Sequence, residues 1–163
     1  TVCHNASRGP LNEYVDVVAR MLAQKGWHVI SIADTDSGLE WIPYVEPLAH
    51  QKFHRCELTI CGMLALVERA DLVVTGACVI MHAAIAYQRP MICLQGGNGG
   101  NNHHSKVTDS RCCDLSNSLF IYPDDYCRCQ EMKHNCNKTI SNLSARVAPF
   151  IEKIYTSMKT EAV

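Results

Sequence analysis

Apolar residues recur every three or four positions in three stretches of the chain, and this spacing predicts amphipathic helices. The first helix lies between Pro10, which suits a first helical turn, and Gly26, which favours a helix end. The second spans residues 59–69, with a threonine at the capping position. The third spans residues 140–154, where Pro149 is expected to end or kink the first half. The apolar positions are Val15, Val18, Ala19 and Leu22, then Met63, Leu64 and Val67, then Ile140, Leu143, Val147, Phe150, Ile151 and Ile154.

Short apolar runs alternate with these helices and predict buried β-strands. The strands cover residues 28–33, 71–75, 91–94 and 119–122. We expect a turn at residues 76–80 and a short helix at 81–87 between the second strand and the third. Strands that alternate with helices in this way predict an α/β fold, a Rossmann-like three-layer domain with a mostly parallel sheet and right-handed crossovers.

The organisation of the chain indicates one domain over residues 1–163, without repeats or an interdomain linker. Residues 39–56 and 107–136 carry little periodicity and are expected to be largely irregular. Residues 1–4 resemble the end of a buried strand that leads into a loop. We therefore expect the chain to begin in mid-fold, with an upstream segment missing.

Composition narrows the classes of partner. The chain is 47% hydrophobic and 19% charged with a net charge of −1, which disfavours disorder and a broad nucleic-acid-binding surface. It contains neither a secretory leader nor an apolar run of membrane-spanning length, so no membrane span is expected. Of the ten cysteines, Cys61, Cys78 and Cys93 lie in or beside apolar patterns, where a reduced thiol acts as a small hydrophobe. A cytoplasmic location follows as the expectation.

The loops that follow the strands are the expected ligand site, because parallel sheets bind ligands beyond the carboxyl ends of their strands. Three loops meet this condition, at residues 4–10, 75–82 and 95–102. The second leads into a helix, whose free N–H groups and dipole favour a phosphate group. Asp34 and Glu40 follow another strand and are candidate contacts for a ribose or a base.

One stretch of the chain is a more specific functional signature than any single glycine motif. It contains Asp-Leu-Val-Val at residues 71–74, a glycine-bearing turn, His-Ala-Ala at 82–84, a proline at 90 and a glycine pair at 96–97. This pattern resembles the C-terminal half of the heptosyltransferase family of glycosyltransferases, which combine two Rossmann-like domains in the GT-B arrangement. The resemblance is strongest over residues 66–97 and thin over 39–56. Cys127, Cys129 and Cys136 are similar to the cysteine-bearing tail of the family.

The resemblance implies a domain that binds a nucleotide diphosphate sugar as donor, while the acceptor and the catalytic carboxylate belong to an N-terminal partner domain. On this resemblance we expect that partner domain to be missing here. No catalytic residue and no cofactor is therefore assigned to this chain, and transfer by the chain alone is not expected. The donor-binding residues that it implies are Ser7 and Arg8 near the phosphates, Thr75, Gly76, Ala77, Cys78, Met81 and His82 around the diphosphate and sugar, and Gly96 and Gly97 beside them.

The sequence departs from the family at the turn after the second strand. Ala77, Cys78 and Val79 stand where the family carries an acidic residue, a serine or threonine and a glycine. The lost carboxylate would orient donor hydroxyls, and the lost glycine would let the backbone approach the ligand. A non-catalytic binding module that keeps the fold is therefore the alternative function, and a nucleotide-sugar epimerase of the same arrangement is a third.

Other chemistries receive less support from the residues. The glycine loop lacks the third glycine of a dinucleotide fingerprint, and no clear helix follows it, which disfavours NAD. Zinc at the C-terminal cysteines is disfavoured by their spacing, although His134 and the pair at 112–113 add possible ligands. No nucleophile–base arrangement can be argued from spacing.

Overall fold

Helices and parallel strands alternate along the computed structural model, which describes residues 12–32, 47–97, 102–128 and 136–161. In chain order the elements are α1 (Asn12–Gln24), β1 (Ile30–Ile32), β2 (Gln51–Phe53), α2 (Ile60–Arg69), β3 (Val73–Thr75), α3 (Val79–Ala86), β4 (Met91–Leu94), α4 (His104–Val107), β5 (Ser118–Ile121) and α5 (Leu143–Glu161). The predicted α/β class with parallel strands is confirmed.

The strands form two small sheets. β1 pairs with β2 in one of them, and β3, β4 and β5 follow in that order in the other. All three pairings are parallel, with Ile30 opposite Gln51, Val73 opposite Met91, and Met91 opposite Ser118. Because parallel strands end at a common edge, the segments after β3, β4 and β5 leave the sheet on one side.

The central strand β4 contributes to two separate apolar clusters, because successive side chains of a strand point to opposite faces. Ile92 and Leu94 pack with residues of α1 and α5, whereas Met91 and Cys93 pack with residues of α2 and α3. All four side chains are fully buried. Burial of each large aliphatic side chain contributes about 1.5–3 kcal/mol to the free energy of unfolding. β4 is therefore the centre of the core.

The end of α1 and the start of α2 lie where the glycine and the threonine in the sequence predict them. Gly26 adopts a φ of 84° just after α1, and its N–H donates to the carbonyl of Ala23 over 2.9 Å. This left-handed conformation suits glycine at a helix end. At the start of α2, the hydroxyl of Thr59 accepts a hydrogen bond of 3.1 Å from the N–H of Gly62.

Two helical expectations were wrong in part. The helix predicted for residues 81–87 begins at Val79, because Cys78 has an extended backbone and takes the N-cap position. Pro149 does not end the last helix, since α5 continues from Leu143 to Glu161 through it. The proline ring is exposed, so the backbone around it can adjust without disturbing the buried face.

Two elements lie in stretches without a clear pattern. β2 falls within residues 39–56, and it is a polar strand whose Gln51 and Lys52 are exposed. The single-turn helix α4 comes soon after the glycine loop, where no clear helix was expected. Both elements are short, and their positions depend on contacts with distant parts of the chain.

Candidate functional site

The turn between β3 and α3 lies at the carboxyl edge of the three-stranded sheet. Thr75 is fully buried, and its hydroxyl donates to the carbonyl of Gly76 over 3.2 Å. The same oxygen lies 3.2 Å from the sulfur of Cys78. A hydroxyl carries one proton, so with that proton on Gly76 the thiol of Cys78 is the donor to Thr75.

The first turn of α3 begins without a side-chain cap, because Cys78 makes no capping hydrogen bond. The N–H groups of Val79 and Ile80 occupy the first two helical positions and have no acceptor within the helix. Val79 is 54% exposed, whereas Ile80 is fully buried. The exposed helix start at Val79 therefore offers its N–H group and the positive end of the helix dipole to an anion.

Gln95 directly follows β4 at the same edge, and its side chain is only 1% exposed. The amide Nε2 donates to the sulfur of Cys93 over 3.2 Å. The amide Oε1 is buried without a hydrogen-bond partner among the described residues. A buried acceptor that is left unpaired costs about 1–3 kcal/mol, so this oxygen is suited to accept a hydrogen bond from a bound hydroxyl or amide.

The thiol beside Gln95 is not set up as a nucleophile. Burial raises the pKa of Cys93 far above its ordinary value, and the nearby Cys78 adds to the increase. Because the thiolate is the reactive form, a protonated thiol here acts as a packing group and a hydrogen-bond partner.

A pair of glycines follows Gln95 at the carboxyl edge of the sheet. Gly96 and Gly97 are both buried, and Gly97 adopts a φ of 136°. That backbone conformation is open to glycine and strained for residues with a Cβ atom. Asn98 and the next three residues of the predicted glycine loop lie outside the described residues.

A group of stacked rings lies beside the end of β5, the strand next to β4. The rings of His103 and Tyr122 stack with centroids 5.0 Å apart, and those of His104 and Phe120 with centroids 4.4 Å apart. His104 Nδ1 also forms a hydrogen bond with the hydroxyl of Tyr122. Tyr126 meets Tyr122 edge to face at 4.9 Å. This group was not among the predicted site residues, because its signal in the sequence is only a histidine pair followed by a tyrosine at a strand end.

These rings carry no charge near neutral pH. Burial lowers the pKa of His103, and the positive charges of Arg128 and Lys106 lower it further. Burial likewise lowers the pKa of His104, with a contribution from His103. Burial raises the pKa of Tyr122, as do Tyr126 and Cys93. The group is therefore a neutral aromatic surface with hydrogen-bonding atoms.

The predicted donor-binding residues occupy different environments. Gly76 is buried in the turn, and Ala77 and His82 are exposed. Met81 is 1% exposed and packs in the core beside α2, so it contributes only its backbone to the edge. The structure brings Thr75, Gly76 and Cys78 together. Gln95 also lies at this edge, within the predicted ligand loop at residues 95–102, although it was not among the predicted donor contacts. Four predicted contacts lie outside the described residues, namely Ser7, Arg8, Asp34 and Glu40.

Within the described ranges, no group of three or more His, Cys, Asp or Glu side chains is placed to hold a metal ion. Cys112, Cys113, Cys127 and Cys136 are not joined in disulfides, and Cys129 and His134 lie outside these ranges. No helix of the described residues has the length and apolar character needed to cross a bilayer.

Comparisons with family models, with curated proteins and with solved structures found no match to this chain.

Proposed function

We propose that this chain is the donor-binding half of a glycosyltransferase similar to the heptosyltransferase family. In this proposal residues 1–163 form a Rossmann-like three-layer domain of the cytoplasm, and a nucleotide diphosphate sugar binds at the carboxyl edge of the parallel sheet. The acceptor is held by a partner domain or a separate chain.

The observation that carries the proposal is the unpaired Oε1 of Gln95 at the edge where parallel sheets bind ligands. A buried acceptor without a partner is the complement of a sugar or ribose hydroxyl. The uncapped start of α3 supports the same ligand, because the N–H group of the exposed Val79 and the positive end of the helix dipole suit a diphosphate. A ligand with a hydroxyl and a diphosphate satisfies both features.

The proposed chemistry is a direct displacement at the anomeric carbon, as the resemblance implies. An acceptor oxygen forms the new bond to that carbon, and the bond from the carbon to the diphosphate oxygen breaks. The diphosphate leaves with the bonding electron pair, and the acceptor proton passes to a carboxylate of the partner domain. Arg8 and the start of α3 stabilise the departing negative charge, so the protein itself supplies the positive field.

The test is a thermal-shift and calorimetric titration of the chain with ADP-, UDP-, GDP- and CMP-sugars. A ligand that binds only the folded state adds about 2.7 kcal/mol to the free energy of unfolding at a concentration of 100 times its Kd. We expect one nucleotide sugar to stabilise the chain. The Gln95→Met and His82→Ala variants should remain folded and show weaker binding.

The control is Gln24→Met, which makes the same exchange at an exposed position in the last turn of α1. It should bind the sugar nucleotide like the original chain. If no nucleotide sugar stabilises a folded sample, the donor-binding proposal is wrong. The non-catalytic module, favoured by Ala77, Cys78 and Val79 in place of the family's residues, then takes its place.

A further inference from the structure

The stacked aromatic rings beside β5 are immediate neighbours of Gln95. They are called the ring group below, and its members are His103, His104, Phe120, Tyr122 and Tyr126. The N–H of Gln95 donates to the carbonyl of Ile121 over 2.8 Å, so Gln95 and Tyr122 leave the sheet side by side. The Gln95 amide and the ring group therefore occupy neighbouring positions on the carboxyl edge.

The side chains of Gln95 and Tyr122 also lie on the same face of the sheet. Cys93 is part of the apolar cluster with α2 and α3, and its pairing partner Phe120 packs against that cluster. Side chains two positions apart share a face of a strand, which places Gln95 with Cys93 and Tyr122 with Phe120. The contact between Gln95 Nε2 and the sulfur of Cys93 agrees with this placement. A ligand held by Gln95 on this face therefore also meets the ring group.

Three of the rings form a corner of flat surfaces. The rings of His103 and Tyr122 are nearly parallel, with 13° between their planes, and Tyr126 stands at 69° to Tyr122. All three side chains are half-buried, so part of their surface stays exposed. Stacked and edge-to-face contacts are the arrangements that aromatic rings prefer. The corner therefore suits a flat aromatic ligand.

His103 adds a hydrogen-bond donor to this corner. Its Nδ1 accepts from the backbone N–H of Ser105 over 3.2 Å, so the neutral imidazole carries its proton on Nε2. Within the described ranges, this Nε2–H has no acceptor. The ring nitrogens and carbonyl oxygens of a nucleobase are acceptors of the kind that this N–H lacks.

The charge around the ring group opposes a bound cation, which is another common partner of aromatic rings. Lys106 and Arg128 are exposed, and both are close enough to His103 to lower its pKa. Their positive charges would repel an ammonium group. A neutral base is compatible with them, and a guanidinium group can also stack on its plane.

We propose that the ring group is the subsite for a nucleobase, which stacks against His103 and the two tyrosines. This inference rests on the nucleotide ligand proposed above and assigns the position of its base. The start of α3, Gln95 and the ring group follow one another across β3, β4 and β5, at a strand spacing of about 4.8 Å. The phosphate, ribose and base of a nucleotide follow one another in the same way. Asp34 and Glu40, predicted from the sequence as ribose or base contacts, have no part in this arrangement.

Proton NMR titration of the full chain with adenosine, guanosine, uridine and cytidine tests the subsite without a diphosphate or a donor sugar. At millimolar concentrations, one nucleoside should shift the ring protons of Tyr122 and Tyr126, and stacking should move its own base protons upfield. His103→Asn removes one ring of the corner, while the asparagine oxygen can still accept from the N–H of Ser105. It should weaken binding about tenfold, a loss typical of a removed stacking ring.

Tyr126→Leu should weaken nucleoside binding to a similar extent and serves as the second variant if His103→Asn does not fold. Tyr87→Leu is its matched control, because Tyr87 caps the far end of α3 and is 36% exposed. This control should bind the nucleoside like the original chain.

Two results would overturn the proposal. One is that no nucleoside shifts the tyrosine ring protons of a folded sample, and the other is that the folded ring variants bind as tightly as the original chain. Titration of His103→Asn with a nucleotide sugar separates this subsite from donor binding. If the sugar nucleotide binds the variant and the original chain equally, donor binding stands and the base subsite is wrong. If a nucleoside binds at the ring group and no nucleotide sugar stabilises the chain, the base subsite stands and the donor-binding proposal is wrong.

Discussion

Gln95 donates from Nε2 to the sulfur of Cys93 over 3.2 Å, while its own Oε1 is buried without a hydrogen-bond partner in the described part of the chain. One half of this amide is satisfied by the core, and the other half lacks a partner among the described residues. The residue therefore links the packing of β4 to the candidate site. Buried polar groups that the protein does not satisfy are typical of places where function opposes stability.

The first prediction is that Gln95→Met stabilises the unliganded chain. Methionine is similar in length and apolar, so the variant removes the unpaired oxygen and loses one weak hydrogen bond to Cys93. We expect the free energy of unfolding in urea to rise by about 1 kcal/mol. Gln24→Met should change it by less than about 0.5 kcal/mol. A clear loss of stability in Gln95→Met would mean that the amide is fully satisfied in solution.

The second prediction concerns the core strand. Ile92 is fully buried at the centre of β4, so Ile92→Ala leaves a cavity and should lower the free energy of unfolding by about 2–5 kcal/mol. Ile60→Ala is the matched control, because Ile60 is 72% exposed at the start of α2. It should cost less than about 0.5 kcal/mol. Equal losses in the two variants would contradict the placement of β4 at the centre of the core.

The sequence predicts β4 accurately because the strand is buried and continuously apolar. The same burial makes Ile92 important for stability. Residues 91–94 are a continuous apolar run between Pro90 and Gln95, and the strand has those limits. β2 was not located, because Gln51 and Lys52 are polar and the strand is held by backbone pairing to β1. Ile30 pairs with Gln51, which is 21 positions away in the sequence, so this pairing leaves no pattern of apolar residues within β2 itself.

The candidate site was predicted only in part for similar physical reasons. Met81 and His82 are neighbours in the sequence, but successive helical residues point about 100° apart, so one is buried and the other exposed. The contact between His104 and Tyr122 joins residues 18 positions apart. Gln95 follows an apolar run, and only the fold shows that its Oε1 has no partner among the residues that the structure describes.

The third prediction is a pH dependence of stability. His103 and His104 have a lowered pKa in the folded chain, so the unfolded chain takes up protons first as the pH falls through the ordinary value of 6.5. Their contribution to stability is complete above about pH 6.5 and is lost progressively below it. Urea unfolding at pH 7.5 and 5.5 should therefore give a lower free energy of unfolding at the acidic pH.

Two variants separate the imidazoles from the rest of the aromatic group. His104→Phe keeps a ring against Phe120 and removes a titrating group, so the difference between the two pH values should shrink. Tyr122→Phe keeps both imidazoles, so most of the difference should remain. An unchanged difference in His104→Phe would show that His104 is not the source of the effect.

The last prediction concerns Pro149, which lies inside α5 with an exposed ring. Proline cannot donate to the carbonyl of Ala145 one turn earlier, and its ring crowds that carbonyl. Pro149→Ala restores the hydrogen bond without touching the buried face, whose Val147 and Ile151 are fully buried. We expect thermal and urea unfolding to show a gain of about 1–3 kcal/mol in the free energy of unfolding. Ser144→Ala, an exchange at another exposed position of the same helix, should give a gain of only about 0.5 kcal/mol. A loss of stability in Pro149→Ala would mean that α5 needs a bend at this position to pack against α1 and the sheet.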